Sequence, residues 1–179
     1  TTADGVDISR NGDYIVANIR DNSTEITTLF YEQTALWSLN ESQGSSSQVQ
    51  ISDDGNYILI GNRLFSKDSP TPIRSFADEE ASVLLSSNGE NILARGSDGN
   101  LSFFDRDSSS PLWIIKQDRV YHFAISSDGK HVAIVTKLGD DYYVYYYVEG
   151  FNFTLAGAGI LIFIVAGVVI SRRKQTTTL

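Results

Sequence analysis

The chain has 179 residues and no cysteine, which excludes disulfide bridges and thiolate metal sites. It carries 14 basic and 22 acidic residues, giving a net charge of −8. All the acidic residues lie before Phe151, and an acidic body of this kind argues against nucleic acid as a partner. The length suits one globular domain with an additional segment.

One short phrase recurs four times along residues 1–150. The copies are "ISRNGDYIVAN", "ISDDGNYILIG", "LSSNGENILAR" and "ISSDGKHVAIV". Their glycines, spaced by 43, 34 and 40 residues, are Gly12, Gly55, Gly89 and Gly129. Each copy has an apolar run, a Ser-x-[Asn/Asp]-Gly turn and a second β-rich run. The Asn-Gly or Asp-Gly pair supplies the positive φ that a tight hairpin needs. The pattern therefore predicts two strands joined by a tight turn.

Further strand-like runs follow each copy. A third strand is predicted over 25–31, 62–68, 100–107 and 141–148, and a fourth over 34–39, 71–76 and 111–116. This alignment places Trp37, Ile73 and Trp113 in register. The Trp and Phe residues are expected to pack between neighbouring blades. Four short strands at a period near 40 residues are typical of a propeller blade. The sequence thus predicts an all-β fold of about four four-stranded β-propeller blades, alone or as part of a larger propeller.

The combined pattern "ISxDGxYIxxG" and "xDGxLxxFDRDSxxPLW" resembles the WD40-like and quinoprotein-like propeller repeats of archaeal surface proteins, over residues 6–148. The resemblance implies a propeller fold, a surface location and an archaeal source. The Gly-His and Trp-Asp dipeptides of eukaryotic WD40 blades are absent from the sequence. So are the tryptophan-docking motifs and calcium-binding acids of quinone-dependent dehydrogenases. The resemblance therefore implies a fold and assigns no active site.

The fourth repeat differs from the others because no fourth strand is predicted after residue 148. Four blades are also the minimum for a closed ring. The N-terminal "TTADG" is too short and too polar to supply the strand, and the chain does not begin with methionine. We therefore expect either further blades upstream of Thr1, which we favour, or closure of the arc against a partner.

Residues 153–170 carry no charge, and eighteen helical residues span about 27 Å, close to the hydrocarbon core of a bilayer. Three basic residues follow directly: Arg172, Arg173 and Lys174. Basic clusters stay on the cytoplasmic side, so the sequence predicts a single transmembrane helix over 151–171, a short cytoplasmic tail over 172–179 and an extracellular domain over 1–150. The alternative, a buried core helix, does not explain the abrupt basic stop.

Four Asn-x-[Ser/Thr] triplets agree with this orientation. They begin at Asn22, Asn40, Asn100 and Asn152. Each is an acceptor for N-linked glycans if residues 1–150 lie outside the cell. Asn22 and Asn40 lie in polar, loop-like stretches, Asn100 opens a predicted strand, and Asn152 lies at the predicted membrane boundary.

No residue is assigned a catalytic, cofactor-binding or metal-binding role. The acidic pairs at 53–54 and 140–141 and the "SDGN" at 97–100 lack the ligand spacing of a calcium loop and are interpreted as turn residues. His122 and His131 flank the fourth hairpin turn and would face each other across it, but two histidines without a third ligand make a poor metal site. No cofactor is expected.

These observations favour a non-catalytic binding scaffold, or an accessory subunit of a surface or membrane complex. Its expected partners are proteins, the lipid bilayer and N-linked glycans. The alternative is the propeller part of an extracellular hydrolase or oxidoreductase whose catalytic residues lie outside this chain. A sensor that signals through the helix would need a partner inside the cell.

Overall fold

A computed structural model describes residues 2–21, 24–42, 48–76, 82–116, 120–138, 141–148 and 168–170. In these ranges the chain is all-β, with sixteen strands in four four-stranded antiparallel sheets. The strands of each sheet follow one another in chain order, so each sheet is a simple meander. The sheets are called blades 1 to 4 in chain order, and they confirm the predicted repeat.

The strand bounds are as follows. Blade 1 comprises β1 (Thr2–Ile8), β2 (Tyr14–Asp21), β3 (Thr24–Tyr31) and β4 (Thr34–Ser42). Blade 2 comprises β5 (Val49–Ile51), β6 (Tyr57–Ile60), β7 (Arg63–Ser66) and β8 (Ser69–Ser75). Blade 3 comprises β9 (Ser82–Leu85), β10 (Asn91–Arg95), β11 (Leu101–Asp105) and β12 (Trp113–Ile115). Blade 4 comprises β13 (Val120–Ile125), β14 (His131–Leu138), β15 (Asp141–Val148) and β16 (Val168–Ile170).

Strand β16 completes blade 4, so the expectation that this blade lacks a fourth strand is wrong. It pairs with β15 from Tyr142↔Ile170 to Val144↔Val168. The physical reason is that the outer edge of β15 presents backbone N–H and C=O groups that require partners, and the β-branched sequence Val-Val-Ile suits a strand. For these three residues the structure therefore differs from the predicted helix.

The remainder of the predicted transmembrane segment, 151–167 and 171, lies outside the described residues. The same holds for the tail over 172–179 with its basic cluster. Within the described ranges, no helix has the length and apolar character needed to cross a bilayer. The membrane anchor stays a prediction from the sequence.

The tight turn after the first strand is built in the same way in every blade. Its serine hydroxyl accepts a hydrogen bond from the backbone N–H five residues later, at 2.9–3.0 Å. These serines are Ser9, Ser52, Ser86 and Ser126. The turn glycines have φ values between 73° and 82°. The predicted hairpin turns are confirmed, because the glycines adopt the backbone region that disfavours side chains.

The core lies between the blades. Among the described residues, three buried apolar clusters each join two successive blades. Fully buried members are Val16 and Ile58 between blades 1 and 2, Leu59 and Ile92 between blades 2 and 3, and Leu93 and Ile134 between blades 3 and 4. Stacking of the sheets therefore provides the hydrophobic core, as the sequence repeat requires.

Both tryptophans pack between blades, as predicted. The indole N–H of Trp37 donates to the carbonyl oxygen of Lys67 in the next blade at 2.9 Å, and its ring lies 6.0 Å from that of Phe65. The ring of Trp113 lies between those of Phe103 and Tyr147, at 4.7 and 6.1 Å. These contacts leave neither ring as an open platform for a ligand.

The predicted alignment of Ile73 with the tryptophans is wrong by one residue. Trp37 pairs with Leu29 and Trp113 with Phe103, whereas the residue that pairs with the equivalent Leu64 is Arg74. The side chain of Ile73 is 54% exposed. The Arg74 guanidinium lies 4.3 Å from the centre of the Phe76 ring, so an arginine fills the inter-blade position. Arginine suits this position because its planar group stacks on aromatic rings.

Candidate interaction site on the turn face

One end of the stacked blades carries the Ser-x-[Asn/Asp]-Gly turns together with the hairpin turns between the third and fourth strands. We call it the turn face. The two sets of turns are joined by backbone hydrogen bonds of 2.7–3.0 Å. The bonds run from the N–H groups of Glu32, Lys67 and Arg106 to the carbonyl oxygens of Asp13, Asn56 and Glu90. Blades 1 to 3 therefore each present their two turns as one unit.

Backbone hydrogen bonds also link the turns of successive blades. The N–H groups of Arg10, Asp53 and Asn88 donate to the carbonyl oxygens of Asp53, Ser87 and Ser127, at 3.0, 2.6 and 2.9 Å. These bonds fix the position of each turn relative to the next. The turn face is thus a rigid surface. Binding residues are often found on loops that a rigid scaffold holds in place.

Carboxylates outnumber basic groups among the described residues of the turn face. The carboxylates belong to Asp13, Glu32, Asp53, Asp54, Asp68, Glu90, Asp105, Asp107 and Asp128, and the basic groups to Arg10, Lys67, Arg106 and Lys130. A surface with this excess of negative charge attracts positively charged partners and raises their rate of association.

A polar cavity of about 290 Å³ opens on the turn face between blades 3 and 4. Its lining combines four carboxylates, two basic side chains and an amide. The residues are Glu90, Asn91, Asp105, Arg106, Asp107, Asp128 and Lys130. The cavity brings together turns from β9–β10, β11–β12 and β13–β14, so it exists only because the two blades are stacked.

The sequence repeat explains why the cavity lies at this boundary. The residue that begins the second strand is Tyr14 in blade 1 and Tyr57 in blade 2. Each ring packs against the turn of the following blade. A basic side chain lies over each ring, Lys67 over Tyr14 and Arg106 over Tyr57. Blade 3 has Asn91 at this position, and the smaller side chain leaves polar space. The cavity was not predicted from the sequence, although the change from tyrosine to asparagine in the aligned repeats is a visible signal.

The charges around the cavity are held in place by hydrogen bonds. A hydrogen bond from Arg106 and its positive charge lower the pKa of Asp107, and the two groups lie 3.1 Å apart. The hydrogen bonds from the Ser126 hydroxyl and the Lys130 N–H lower the pKa of Asp128. Both carboxylates therefore stay ionised at neutral pH. A general acid or base needs a pKa near the working pH, so these groups suit binding better than proton transfer.

The histidines do not face each other as expected from the sequence. His122 pairs with Val135, and His131 pairs with Val148. The His131 ring instead contacts Tyr146, whose hydroxyl lies 2.5 Å from its Nδ1. In the part of the chain that the structure describes, no group of three or more potential ligands is arranged to hold a metal ion.

The acidic turn residues have structural roles, as predicted for 53–54 and 97–100. Asp54 accepts hydrogen bonds from Ser52 and Asn56, and Asp98 accepts one from the N–H of Asn100 at 2.9 Å. Asp140, in the other pair, lies outside the described residues.

Two of the four predicted glycosylation sites are described. Asn40 is exposed, but it lies within the outer strand β4 and not in a loop. Asn100 lies in the turn directly before β11. Asn22 and Asn152 lie outside the described residues. Occupancy of all four sites stays a prediction.

No protein-family model matches the chain, and no curated protein does. Solved structures do match. The fold is a WD40-like β-propeller. The β-propeller domain of Cps50 (Swd1) from Myceliophteria thermophila superposes with a TM-score of 0.60 at 11% sequence identity, over 89% of this chain and 56% of that one. A eukaryotic initiation factor superposes with a TM-score of 0.58 at 15% identity, over 86% and 43% of the two chains. The propeller thus spans about half the length of these neighbours.

Asp54→Asn should leave the propeller's stability at pH 7 within about 0.5 kcal/mol of the wild type. Burial disfavours the charged form of Asp54, but hydrogen bonds from Ser52 and Asn56 outweigh it and lower its pKa below the ordinary 3.8. The carboxylate therefore contributes stability above pH 3.8, which is lost as the pH falls through the folded-state value. Asn11 and Asn88 already fill this turn position in blades 1 and 3, where their Oδ1 atoms accept the equivalent bonds from the serine hydroxyl and from the backbone N–H two residues on.

Urea unfolding of the full chain in detergent, between pH 7 and pH 2.5, measures this effect. Asp54→Asn should make the loss of stability below pH 4 shallower. The variant Asp128→Asn removes the equivalent carboxylate of blade 4, whose pKa is also lowered by its hydrogen bonds, and should act in the same direction. Identical acid dependence in wild type and both variants would contradict the assignment.

Proposed function

We propose that the chain is a non-catalytic scaffold that holds a protein partner on its turn face. The observation that carries this proposal is the polar cavity between blades 3 and 4, whose charges are fixed on hydrogen-bonded turns. The excess of carboxylates on this face favours a partner that presents lysine or arginine side chains. The two basic residues of the cavity, Arg106 and Lys130, provide a matching position for one acidic group of that partner.

The scaffold acts, in this proposal, at the outer surface of a cell, as an accessory subunit of a surface or membrane complex. The support comes from the sequence: the uncharged segment over 153–170, the basic cluster from Arg172 to Lys174, and the sequons. In this proposal Val168–Ile170 belong to the membrane span and are not paired with β15, so the anchored form differs from the described structure at these three residues. An anchored propeller would present its partner-binding surface close to the membrane. That position suits a subunit that assembles with other membrane proteins.

A photo-crosslinking residue placed at Lys130 tests the proposal in the full chain within native membranes. We expect crosslinks to one protein partner, in a yield that falls when the salt concentration is raised, because exposed charges are screened. The matched control places the same residue at Asp98, which is exposed on the opposite end of blade 3 and should yield no such product.

Equal crosslinking from both positions, or none from Lys130, would count against a binding site on the turn face. Turnover of a substrate by the purified chain would contradict the non-catalytic role.

A further inference from the structure

At two blade boundaries the chain itself places a basic side chain over the residue that begins the second strand. The Lys67 ammonium lies 5.6 Å from the centre of the Tyr14 ring, and the Arg106 guanidinium lies 4.1 Å from the centre of the Tyr57 ring. Each basic residue belongs to the following blade and comes directly after its third strand. A cation over an aromatic ring is a favourable contact. A positive charge at this point of the turn face is therefore part of the repeated design.

The boundary between blades 3 and 4 differs in both parts of this arrangement. Asn91 takes the place of the tyrosine and lines the cavity of about 290 Å³. In the sequence, the residue directly after the third strand of blade 4 is Glu149, which lies outside the described residues. Residues 149–167 contain neither lysine nor arginine. The segment that supplies the basic residue in blades 2 and 3 therefore has none to supply in blade 4.

Asn91 also has a side-chain amide that the fold does not use. The residue is only 7% exposed, and its backbone N–H and C=O both bond the Ser86 hydroxyl, at 2.9 and 3.1 Å. A Cβ added at Gly129 would meet the Asn91 Oδ1, so the amide lies against the turn of blade 4. The amide makes no hydrogen bond to any residue that the structure describes. A buried polar group without a partner is costly, and a ligand in the cavity would provide the partner.

Three carboxylates of the cavity each have one oxygen held by the turns, at 2.8–3.1 Å, and one that bonds to no described residue. They belong to Glu90, Asp105 and Asp128. The fourth carboxylate, that of Asp107, is paired with Arg106. Three carboxylates therefore remain against the single positive charge of Lys130. This excess attracts a cation and repels an anion.

The arrangement of the carboxylates selects the kind of cation. Among the described residues, no three potential ligands are arranged to hold a metal ion. A larger cation with several separated donors can reach carboxylates that a single metal ion cannot. The guanidinium of arginine is such a group, because it is planar and has N–H donors on three sides, whereas the ammonium of lysine is a compact point charge. The cavity is at the lower limit of ligand pockets in volume, which suits one side chain.

We infer, on the basis of the proposed function, that the cavity binds the guanidinium of one arginine of the protein partner. It lies at the point that a basic residue of the chain itself occupies at the two other boundaries. The guanidinium donates to the free carboxylate oxygens, including that of Asp128, and to the Asn91 amide oxygen. The exposed Lys130 is then left for an acidic group beside that arginine in the partner.

NMR spectroscopy of the full chain in detergent micelles tests the inference, with N-acetyl-arginine amide as the probe. The reporter is the backbone N–H of Gly129 beside Asn91, and the reference is the N–H of Gly55, where Tyr14 fills the equivalent space. We expect a saturable shift at Gly129 and none at Gly55. N-acetyl-citrulline amide has a similar shape without the charge and should bind at least about tenfold more weakly. N-acetyl-lysine amide should also bind more weakly, because it lacks the planar fork.

Three variants locate the binding site of the probe. Asn91→Tyr restores the residue of blades 1 and 2, so it should fill the cavity and abolish the shift. Asp128→Asn keeps the turn, since asparagine holds the same position in blades 1 and 3, but it should weaken binding about tenfold. The matched control Asp54→Asn makes the same change in blade 2, outside the cavity, and should leave binding unchanged. Circular dichroism spectra that match the wild type would show that each variant is folded.

Equal weakening by Asp54→Asn and Asp128→Asn would show attraction to the whole acidic face and would overturn the inference. The absence of a shift at Gly129, or equal affinity for the citrulline or lysine probe, would overturn it as well. If Lys130 crosslinks to a partner but the arginine probe does not bind, the proposed function stands and the arginine site fails. If the probe binds as expected but Lys130 gives no crosslink, the guanidinium site stands and the proposed function fails.

Discussion

Replacing Gly55 by alanine should destabilise the propeller far more than the same replacement at Gly12. Both glycines have positive φ, 73° and 82°, so alanine costs about 1–2 kcal/mol at either position from backbone strain. At Gly55 the new Cβ would also overlap the ring of Tyr14 in the preceding blade. At Gly12 it has open space. Overpacking of this kind adds about 1–3 kcal/mol, so we expect a total of about 2–5 kcal/mol at Gly55.

The comparison separates backbone strain from inter-blade packing. Urea unfolding of the full chain provides the free energies of both variants. Gly89→Ala should fall between the two, because its Cβ would meet Ser52 Cβ at 3.0 Å and the ring of Tyr57 at 3.2 Å. Equal losses at Gly55 and Gly12 would show that the contact with Tyr14 adds nothing.

The strands that could be predicted are those with local signals. Alternation of apolar residues and the Asn/Asp-Gly turns lie within about ten residues of each other, and they define β1 to β15 closely. Strand β16 could not be predicted in this way. Val168–Ile170 belong to a long uncharged run, in which hydrophobicity indicates burial but does not identify the partner. The pairing with Tyr142–Val144 depends on the free edge of β15, which is a property of the folded sheet.

The candidate site was less predictable than the fold because it lies between blades. The sequence placed Asp128 in a turn and Asp107 at the end of a predicted strand, but their separation along the chain says nothing about the cavity that they share. Stacking of blades 3 and 4 brings the turns together, and Asn91 leaves the space. Aligned repeats reveal such a site only when a position is compared across blades, here Tyr14, Tyr57 and Asn91.

The misalignment of Ile73 has a similar origin. The alignment of the repeats matched Trp37 and Trp113 with Ile73, the aliphatic residue of that run. The structure places Arg74 there because its guanidinium finds both aromatic rings and backbone carbonyl oxygens. It donates to the carbonyl oxygens of Asp105 and Arg106, at 3.1 and 2.7 Å, and to that of Ser108. Charge patterns alone do not reveal such partners, because they belong to the next blade.

Arg74→Leu should therefore destabilise the propeller by about 2–4 kcal/mol, whereas Ile73→Ala should cost less than about 0.5 kcal/mol. Leucine keeps apolar volume against Phe76 and Phe104 but removes the guanidinium donor from three carbonyl oxygens, of which that of Asp105 keeps a bond from the Ser108 N–H. Burial lowers the pKa of Arg74, but the ordinary pKa of a guanidinium lies far above neutral, so the group remains charged at pH 7 and its hydrogen bonds are charge-assisted. Unfolding in urea measures both variants, and a larger loss for Ile73→Ala would restore the alignment read from the sequence.

Arg74 also connects the fold to the proposed site, since the carbonyl oxygens that it binds belong to the turn that carries Arg106 and Asp107. Arg74→Leu should loosen this turn, so crosslinking from Lys130 should fall even under conditions where the variant is fully folded. Arg74→Lys keeps the charge but loses the planar fork that reaches several oxygens at once, and we expect about half of the stability loss. If the crosslinking yield is unchanged in a folded Arg74→Leu variant, partner binding does not depend on the order of this turn. The cavity would then be held by the backbone hydrogen bonds between blades 3 and 4 alone.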